Sequence, residues 1–151
     1  MLKIISGGQS GVDRAALDAA LKFNIPCGGW CPEGRKAEDG TIPDHYPLIA
    51  LKGAGYTRRT KQNVIDSDGT VIIYFDSLSG GTENTLMFCL QNKKPYLLID
   101  GTELSPLRSA KRIRRFIDKY SISNLNIAGP RASEETLAYP FVRQTLTLLF
   151  S

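Results

Sequence analysis

The glycine-rich run at residues 6–11, Ser-Gly-Gly-Gln-Ser-Gly, could bind an anion. It follows the apolar, β-branched residues 2–5, which are typical of a buried strand, and precedes alanines at helical spacing from Val12. A glycine turn between a strand and a helix points backbone N–H groups outward at the positive end of the helix dipole. Gly7, Gly8 and Gly11 have no Cβ that would keep a ligand away from those donors. The alternative is a tight strand-to-helix turn without a ligand.

The turn does not match two familiar nucleotide-binding motifs. No Gly-Lys-Ser/Thr follows the glycines, as a Walker A loop requires. The dinucleotide fingerprint would place its first glycine at Ser6 and a ribose-binding carboxylate near residues 27–31, where none occurs. Tightly bound NAD is therefore disfavoured. The negative charge of Asp13 complements the positive end of the helix dipole, whereas the positive charge of Arg14 is unfavourable there. A bound anion would compensate for Arg14, so this residue predicts one.

Three further loops carry chemistry-bearing residues. Residues 77–83 form a second glycine loop after the clearest strand, predicted at residues 70–75. Residues 129–133, with Arg131, follow a strand predicted at residues 125–128. The polar segment 31–40 is too long for a simple connection, and its Arg35 and Lys36 form a cationic pair suited to an anion. A solvated, charged loop is the alternative for that segment.

The remaining pattern alternates strands with helices. Strands are predicted within residues 25–30, at 46–52 as a short edge strand, and at 96–99. Helices are predicted at about residues 12–21, 58–67, 83–91 and 106–120, with a last one from residue 134 or 135 to 149. This order indicates an α/β fold: a doubly wound, mostly parallel sheet in one three-layer domain over residues 1–151. The loops at 6–11, 79–83 and 129–133 should share the carboxyl edge, with the first strand and strand 70–75 either side of the topological switch.

Composition limits the classes of protein. The chain has 151 residues, 42% apolar and 23% charged, with a net charge of +4. The sequence has no long apolar run, and the first strand leaves no room for a leader peptide before it. These features predict a cytoplasmic protein that does not engage a membrane. Three cysteines argue against a disulfide framework. The basic residues of helix 106–120 are interpreted as a solvated face, so no nucleic-acid partner is expected.

No residue set predicts a catalytic or a metal site. Cys27 and Cys31 lack the CxxC spacing and a second pair. His45 is the only histidine, and no GxSxG motif accompanies it.

The loops together resemble a known family. The segments 7–16, 28–32 and 34–40, with Arg59-Thr60, Asn63, 67–70, 80–82 and 126–131, are similar to those of the molybdenum cofactor (molybdopterin) carrier proteins. The resemblance spans nearly the whole chain. It implies a Rossmann-like fold, a homo-oligomer (dimer or tetramer), a molybdoenzyme recipient, and binding of the phosphorylated cofactor without turnover.

On this interpretation the glycine loops hold the phosphate and oxo groups, the cations add charge-assisted bonds, and the polar side chains read the pterin or the phosphate. The cofactor-binding residues expected are Gly7, Gly8, Gln9, Ser10, Gly11, Arg14, Arg35, Lys36, Thr60, Asn63, Ser79, Gly80, Gly81, Thr82, Glu83 and Arg131.

Two alternatives remain open at the level of sequence. The wider superfamily includes lysine-decarboxylase-like nucleotide phosphoribohydrolases with the loop PGGxGTxxE. Residues 79–83 keep the paired glycine but lack the next glycine and the spaced glutamate, and Glu83 is the nearest carboxylate. A nucleotide-monophosphate hydrolase of this kind, with Glu83 or Asp13 as its acid or base, or a nucleotide-sensing module, would use the same loops.

Overall fold

The structure is a computed structural model that describes all of residues 1–151, and its elements alternate as the sequence predicts. In chain order they are β1 (Lys3–Ile5), α1 (Val12–Lys22), β2 (Cys27–Gly28), β3 (Trp30–Pro32), a 3₁₀ turn (Glu33–Arg35), β4 (Lys36–Ala37), β5 (Gly40–Thr41), β6 (Ile49–Leu51), α2 (Tyr56–Asp66), β7 (Gly69–Tyr74), α3 (Gly80–Gln91), β8 (Tyr96–Asp100), α4 (Pro106–Tyr120), β9 (Asn124–Ala128) and α5 (Ala138–Phe150).

The main sheet has five parallel strands in the order β2-β1-β9-β7-β8. Counted from β9 as the first strand, this order reads 3-2-1-4-5, the doubly wound arrangement whose ligand crevice lies between strands 1 and 4. The topological switch therefore lies between β9 and β7. The prediction that β1 and β7 flank the switch is corrected, because β9 is inserted between them and pairs with both.

Apolar side chains fill both faces of the sheet, which confirms the doubly wound fold. Val71 and Ile73 of β7 face the larger core cluster, which also holds apolar residues of α1, α4 and α5. Ile72, between them, packs with Val64 of α2 and Cys89 of α3 in a separate cluster on the other face. The alternation along β7 is the period of two expected for a strand. The protein thus has three layers, two of helices and one of strands.

The second predicted strand is split by Gly29. Gly29 has φ 134, and a Cβ there would overlap the carbonyl oxygen of Ser6. The chain turns at this point, so β2 stays in the main sheet while β3 leaves it and pairs in parallel with β6. The edge strand predicted at residues 46–52 therefore belongs to a separate two-stranded sheet. Segment 31–40 contains β3, the 3₁₀ turn and the β4–β5 hairpin instead of an irregular loop.

Three helix starts differ from the prediction. α2 begins at Tyr56, two residues earlier, so Thr57 lies inside the helix instead of capping it. α3 begins at Gly80 instead of Glu83, and residues 80–83 are thus its first turn. α5 begins at Ala138, because Glu134 and Glu135 instead form a turn whose N–H groups bond to the carbonyl oxygen of Arg131. No helix is long and apolar enough to cross a bilayer.

Candidate functional site

An open cleft lies at the carboxyl edge of the sheet, beside the switch between β9 and β7. Its volume, including the solvent at its mouth, is about 570 Å³. The first glycine turn, the buried side of α2, the first turn of α3 and the loop after β9 contribute its walls. Of the residues expected from the sequence, those that line it are Gly7, Gln9, Thr60, Asn63, Gly81, Thr82 and Arg131.

Arg59 of α2 is the buried cation of this cleft. Its side chain is only 9% exposed, and its Nη1 lies 3.3 Å from Oδ2 of Asp13. Its Nε is buried and has no hydrogen-bond partner. The guanidinium passes directly under Gly7, where any Cβ would overlap it. Gly7 is therefore required by the packing of Arg59, and one donor of this buried cation has no acceptor in the protein.

Asp13 is the counter-charge of Arg59. Burial raises the pKa of Asp13, while the guanidinium of Arg59 and the backbone N–H of Gln9 act in the opposite direction. The same carboxylate oxygen accepts the Gln9 N–H at 3.3 Å. Asp13 therefore fixes the first glycine turn in addition to pairing with Arg59.

The first glycine turn offers fewer free donors than its sequence predicts. The N–H of Gly8 bonds to Oγ of Ser6 at 3.3 Å, and that of Ser10 bonds to Oε1 of Gln9 at 3.0 Å. The N–H of Val12 bonds to the carbonyl oxygen of Pro130 at 3.2 Å.

Three of the predicted residues in this turn thus lie outside the cleft: Gly8, Ser10 and Gly11. A Cβ on Gly11, which has φ 82, would lie 2.8 Å from the backbone nitrogen of Ala132. Gly11 and Ser10 instead pack the turn against the loop after β9, where the Ala132 N–H donates to Oγ of Ser10.

The second glycine segment supplies the free donors instead. The backbone N–H groups of Gly81 and Thr82 precede the first intrahelical bond of α3, and the first N–H of the helix with a partner is that of Glu83, 3.3 Å from the carbonyl oxygen of Ser79. The Ser79 side chain does not cap the helix. Gly81 and Thr82 both line the cleft, so the positive end of α3 opens into it beside Arg59. Glu83 is exposed and lies outside the cleft.

Polar side chains on the far wall are partly occupied. Asn63 accepts the Trp30 N–H at 2.8 Å and donates to the Trp30 carbonyl oxygen at 2.9 Å, which fixes β3 against α2. The hydroxyl of Thr60 donates to the Tyr56 carbonyl oxygen at 2.9 Å and keeps its acceptor lone pairs. Asn126 of β9 donates to Oγ1 of Thr70 at 3.3 Å. Thr60 and Asn126 therefore have more hydrogen-bonding capacity left than Asn63.

Arg131 lies at the mouth of the cleft. Its guanidinium is 5.5 Å from the centre of the Tyr56 ring, and its Nε is 3.3 Å from Oε1 of Glu134. Both side chains of this ion pair are partly exposed. Arg131 can therefore exchange Glu134 for a ligand at little cost.

Three predicted cations lie outside the cleft. Arg14 makes a two-bond contact with Asp39, both distances 3.1 Å, and donates to the Gly8 carbonyl oxygen. Arg35 donates to four carbonyl oxygens, those of Ile42, Pro43, Tyr46 and Leu48. Lys36 is exposed on β4. Arg14 and Arg35 are therefore bonded to groups of the protein, and none of the three cations lines the cleft.

Comparison with known proteins identifies the family. The model of the circularly permutated YpsA SLOG family matches residues 4–150. The chain belongs to that family. It is also similar to a crystal structure of the putative molybdenum carrier protein from Syntrophus aciditrophicus SB, with 45% identity, a TM-score of 0.97, and coverage of 100% of this chain and 96% of that one. These matches confirm the resemblance inferred from the loops. Among curated proteins, none gives a significant match.

In this YpsA SLOG chain the cofactor-binding residues expected from the sequence omit three cleft residues, namely Arg59, Asp13 and Asn126. Arg59 and Asn126 belong to the segments that carry the family resemblance, and Asp13 was expected only as an acid or base of the hydrolase alternative. Arg59 and Asn63 are one helical turn apart, and this repeat of polar residues beside Val64 is the signal that α2 buries a polar face. Glu38 was also missed. Its carboxylate accepts bonds from the Ser10 and Ser133 hydroxyls and from the Ser133 N–H, and so ties the β4–β5 hairpin to two cleft loops.

Proposed function

We propose that the protein binds and carries a phosphorylated pterin of the molybdenum cofactor class. The observation that carries the proposal is the buried Arg59, which lines the same cleft as the open first turn of α3. A phosphate placed there would accept bonds from the Gly81 and Thr82 N–H groups and from Arg59. Because the site is partly dry, these charge-assisted bonds would be stronger than in water.

The chemistry of the cargo fits this donor set. The molybdenum cofactor carries a terminal phosphate, a hydrogen-bonding pterin and an anionic molybdenum dithiolene. Arg131 at the mouth adds a second cation, and Thr60 and Asn126 add neutral polar groups. The name of the Syntrophus protein, a molybdenum carrier, supports the same class of cargo.

Binding without turnover is favoured by the state of the carboxylates. On the sequence prediction a hydrolase would use Glu83 or Asp13. Asp13 is buried and ion-paired with Arg59, so it is not free to act as a base, and Glu83 lies outside the cleft. The geometry thus supports a carrier over a nucleotide hydrolase.

The test is to identify what the protein holds after expression in cells supplied with molybdate. Mass spectrometry and elemental analysis of the extracted ligand should give pterin and molybdenum in equal amounts, near one per chain. The Glu83→Gln variant is the matched control and should load equally. Recovery of a nucleotide, or release of free base from nucleoside monophosphates by the wild type but not by Glu83→Gln, would overturn the carrier proposal.

Partners and assembly are part of the same proposal. A carrier needs a recipient, which we propose is a molybdoenzyme in the cytoplasm, and we propose a homo-oligomer, either a dimer or a tetramer. Light scattering during gel filtration measures the assembly, and transfer of activity to a cofactor-free molybdoenzyme measures the delivery.

A further inference from the structure

A second cavity adjoins the cleft on the other side of the first turn of α3. It also has a volume of about 570 Å³ with its solvent, and it shares Thr82 and Glu134 with the cleft. We call it the acceptor lobe. The remaining polar side chains of its wall are those of Tyr74, Ser77, Ser79 and Glu135, and no lysine or arginine lines it. The two spaces therefore adjoin at Thr82 and Glu134, and they differ in charge.

The two glutamates of the acceptor lobe are not equivalent. Glu134 is held by Arg131, through the Nε at 3.3 Å and the backbone N–H at 3.3 Å. Glu135 accepts only the Leu137 N–H, on Oε1 at 3.1 Å, and is half-buried. That bond fixes the carboxylate just before α5 and leaves Oε2 without a partner in the protein. Glu135 is therefore the oriented, available acceptor of this lobe.

The lobe is complementary to a group that presents two parallel hydrogen-bond donors. A carboxylate can accept two such donors side by side. A pterin presents this pattern along the edge formed by its 2-amino group and its N3–H. An anion, by contrast, is disfavoured here because the wall carries two carboxylates and no cation.

We infer that Glu135 is a specificity-determining residue that reads the amino edge of the ligand's pterin, while the phosphate lies at Arg59 and the first turn of α3. This inference rests on the proposed function. It is supported independently by the nine-tenths-buried Arg59, a cation that lines the other space and so assigns the anionic end of the ligand to it. The pterin then has the acceptor lobe as its complementary site.

The test compares two ligands that differ only at the 2-position. Neopterin phosphate carries the 2-amino group, and the corresponding lumazine phosphate carries a carbonyl oxygen there. Isothermal titration of the wild type should show neopterin phosphate bound about tenfold more tightly, since a carbonyl facing a carboxylate loses a charge-assisted bond. Glu135→Gln should reduce this preference to about twofold or less. The matched control Glu134→Gln should change the affinity for both ligands by the same factor and keep the preference.

The outcomes separate this inference from the proposed function. Equal binding of the two ligands to the wild type, or an unchanged preference in Glu135→Gln, would overturn the role of Glu135 and leave the carrier proposal in place. If neither phosphorylated ligand binds, both proposals are overturned. Tighter binding of the lumazine phosphate would show that the lobe reads an acceptor edge instead, which also contradicts the inference.

Discussion

At the scale of single residues, the buried pair of Arg59 and Asp13 determines both the charge of the cleft and part of its stability. Removal of one partner of a buried ion pair leaves the other charge without compensation. Arg59→Gln should therefore lower the free energy of unfolding by about 3 kcal/mol at pH 7. The double variant Asp13→Asn, Arg59→Gln should recover most of that loss. Urea unfolding of the four proteins measures the coupling, and strictly additive losses would contradict it.

The same pair predicts a dependence on pH. Burial raises the pKa of Asp13 in the folded protein, and Arg59 opposes this rise. A folded pKa above the unfolded one gives stability that is present at low pH and lost as the pH rises through the folded value. Without Arg59 the pKa of Asp13 should rise further. The deficit of Arg59→Gln relative to the wild type should therefore shrink between pH 7 and pH 5, and a constant deficit would exclude this cause.

Arg35 should act on the loop and not on the ligand. Its guanidinium satisfies four carbonyl oxygens between residues 42 and 48, and a truncated side chain would leave them to water. Arg35→Ala should lower the free energy of unfolding by about 2 kcal/mol, whereas Lys36→Ala, at an exposed neighbour, should change it by less than about 0.5 kcal/mol. Thermal unfolding measures both. A stable Arg35→Ala protein that loses phosphate affinity would return Arg35 to the binding site.

These residues show where prediction from one sequence reaches its limit. Gly81, Thr82 and Arg131 could be predicted because strand-to-helix loops share one edge of a parallel sheet. Arg59 could not, because its partner Asp13 is 46 residues away and its burial follows from the packing of α2. Arg35 was expected on the ligand because a loop cation has the same sequence signal whether it contacts a ligand or backbone carbonyls. Arg14 was expected there because a cation is unfavourable in the first turn of a helix, although it pairs with Asp39 instead.

At the scale of elements, the two glycine turns look alike in sequence and differ in the structure. In the turn before α1, the backbone N–H groups of residues 8–10 donate to side chains of the same segment. In the first turn of α3, the N–H groups of Gly81 and Thr82 have no acceptor in the protein. Whether the N–H groups of such a turn stay free depends on polar side chains such as those of Gln9 and Asp13. The orientation of these side chains depends on tertiary contacts. Only the element positions themselves could be predicted from periodicity.

The open turn of α3 can be tested at Gly81. A Cβ there meets nothing within 4 Å, and its φ is not positive, so a side chain should fit. Gly81→Asp would place a carboxylate where the phosphate is expected, and should weaken binding of neopterin phosphate at least tenfold through charge repulsion. It should also raise the free energy of unfolding by about 0.5 kcal/mol, because an acidic residue favours a helix N-terminus.

Gly81→Asn is the matched control for this prediction. It has the shape of aspartate without the charge, so it should retain affinity within about threefold if repulsion is the cause. Calorimetry of both variants measures the difference. Equal loss of affinity in the two would assign the effect to bulk and would remove the anion from the first turn of α3.

At the scale of the whole molecule, the sheet order explains why the cleft includes the last strand. The α/β class and the parallel sheet could be predicted from the alternation of elements. The position of β9 could not, because strand order depends on which crossover packs where, and the chain order places β9 last. With β9 between β1 and β7, the loop 129–133 becomes the centre of the site instead of its margin.

This strand order predicts that the chain tolerates a circular permutation, in which the present ends are joined and new ends are opened elsewhere. The ring of Phe150 at the end of α5 packs 6.0 Å from that of Phe23, just after α1, and the Lys3 N–H bonds to the Ser123 carbonyl oxygen at the start of β9. Both chain ends therefore lie at the amino edge, opposite the cleft. A flexible linker of about eight residues, which spans about 15 Å, should join Ser151 to Met1 as the missing crossover of a β9–α5–β1 unit.

A chain joined in this way and opened between Tyr120 and Ser121 should have β9 as its first strand and keep the same sheet order, 3-2-1-4-5. It should also keep the cleft, since no cleft residue adjoins the new ends. Its free energy of unfolding should fall by no more than about 2 kcal/mol, because α4 and β9 lose only their direct connection. Its affinity for neopterin phosphate should stay within about threefold of the wild type. The control, joined by the same linker but opened between Ser77 and Leu78, should fold and bind weakly, because that break frees the start of α3. Equal affinity in the two permuted proteins would contradict the assignment of the anion site to that helix.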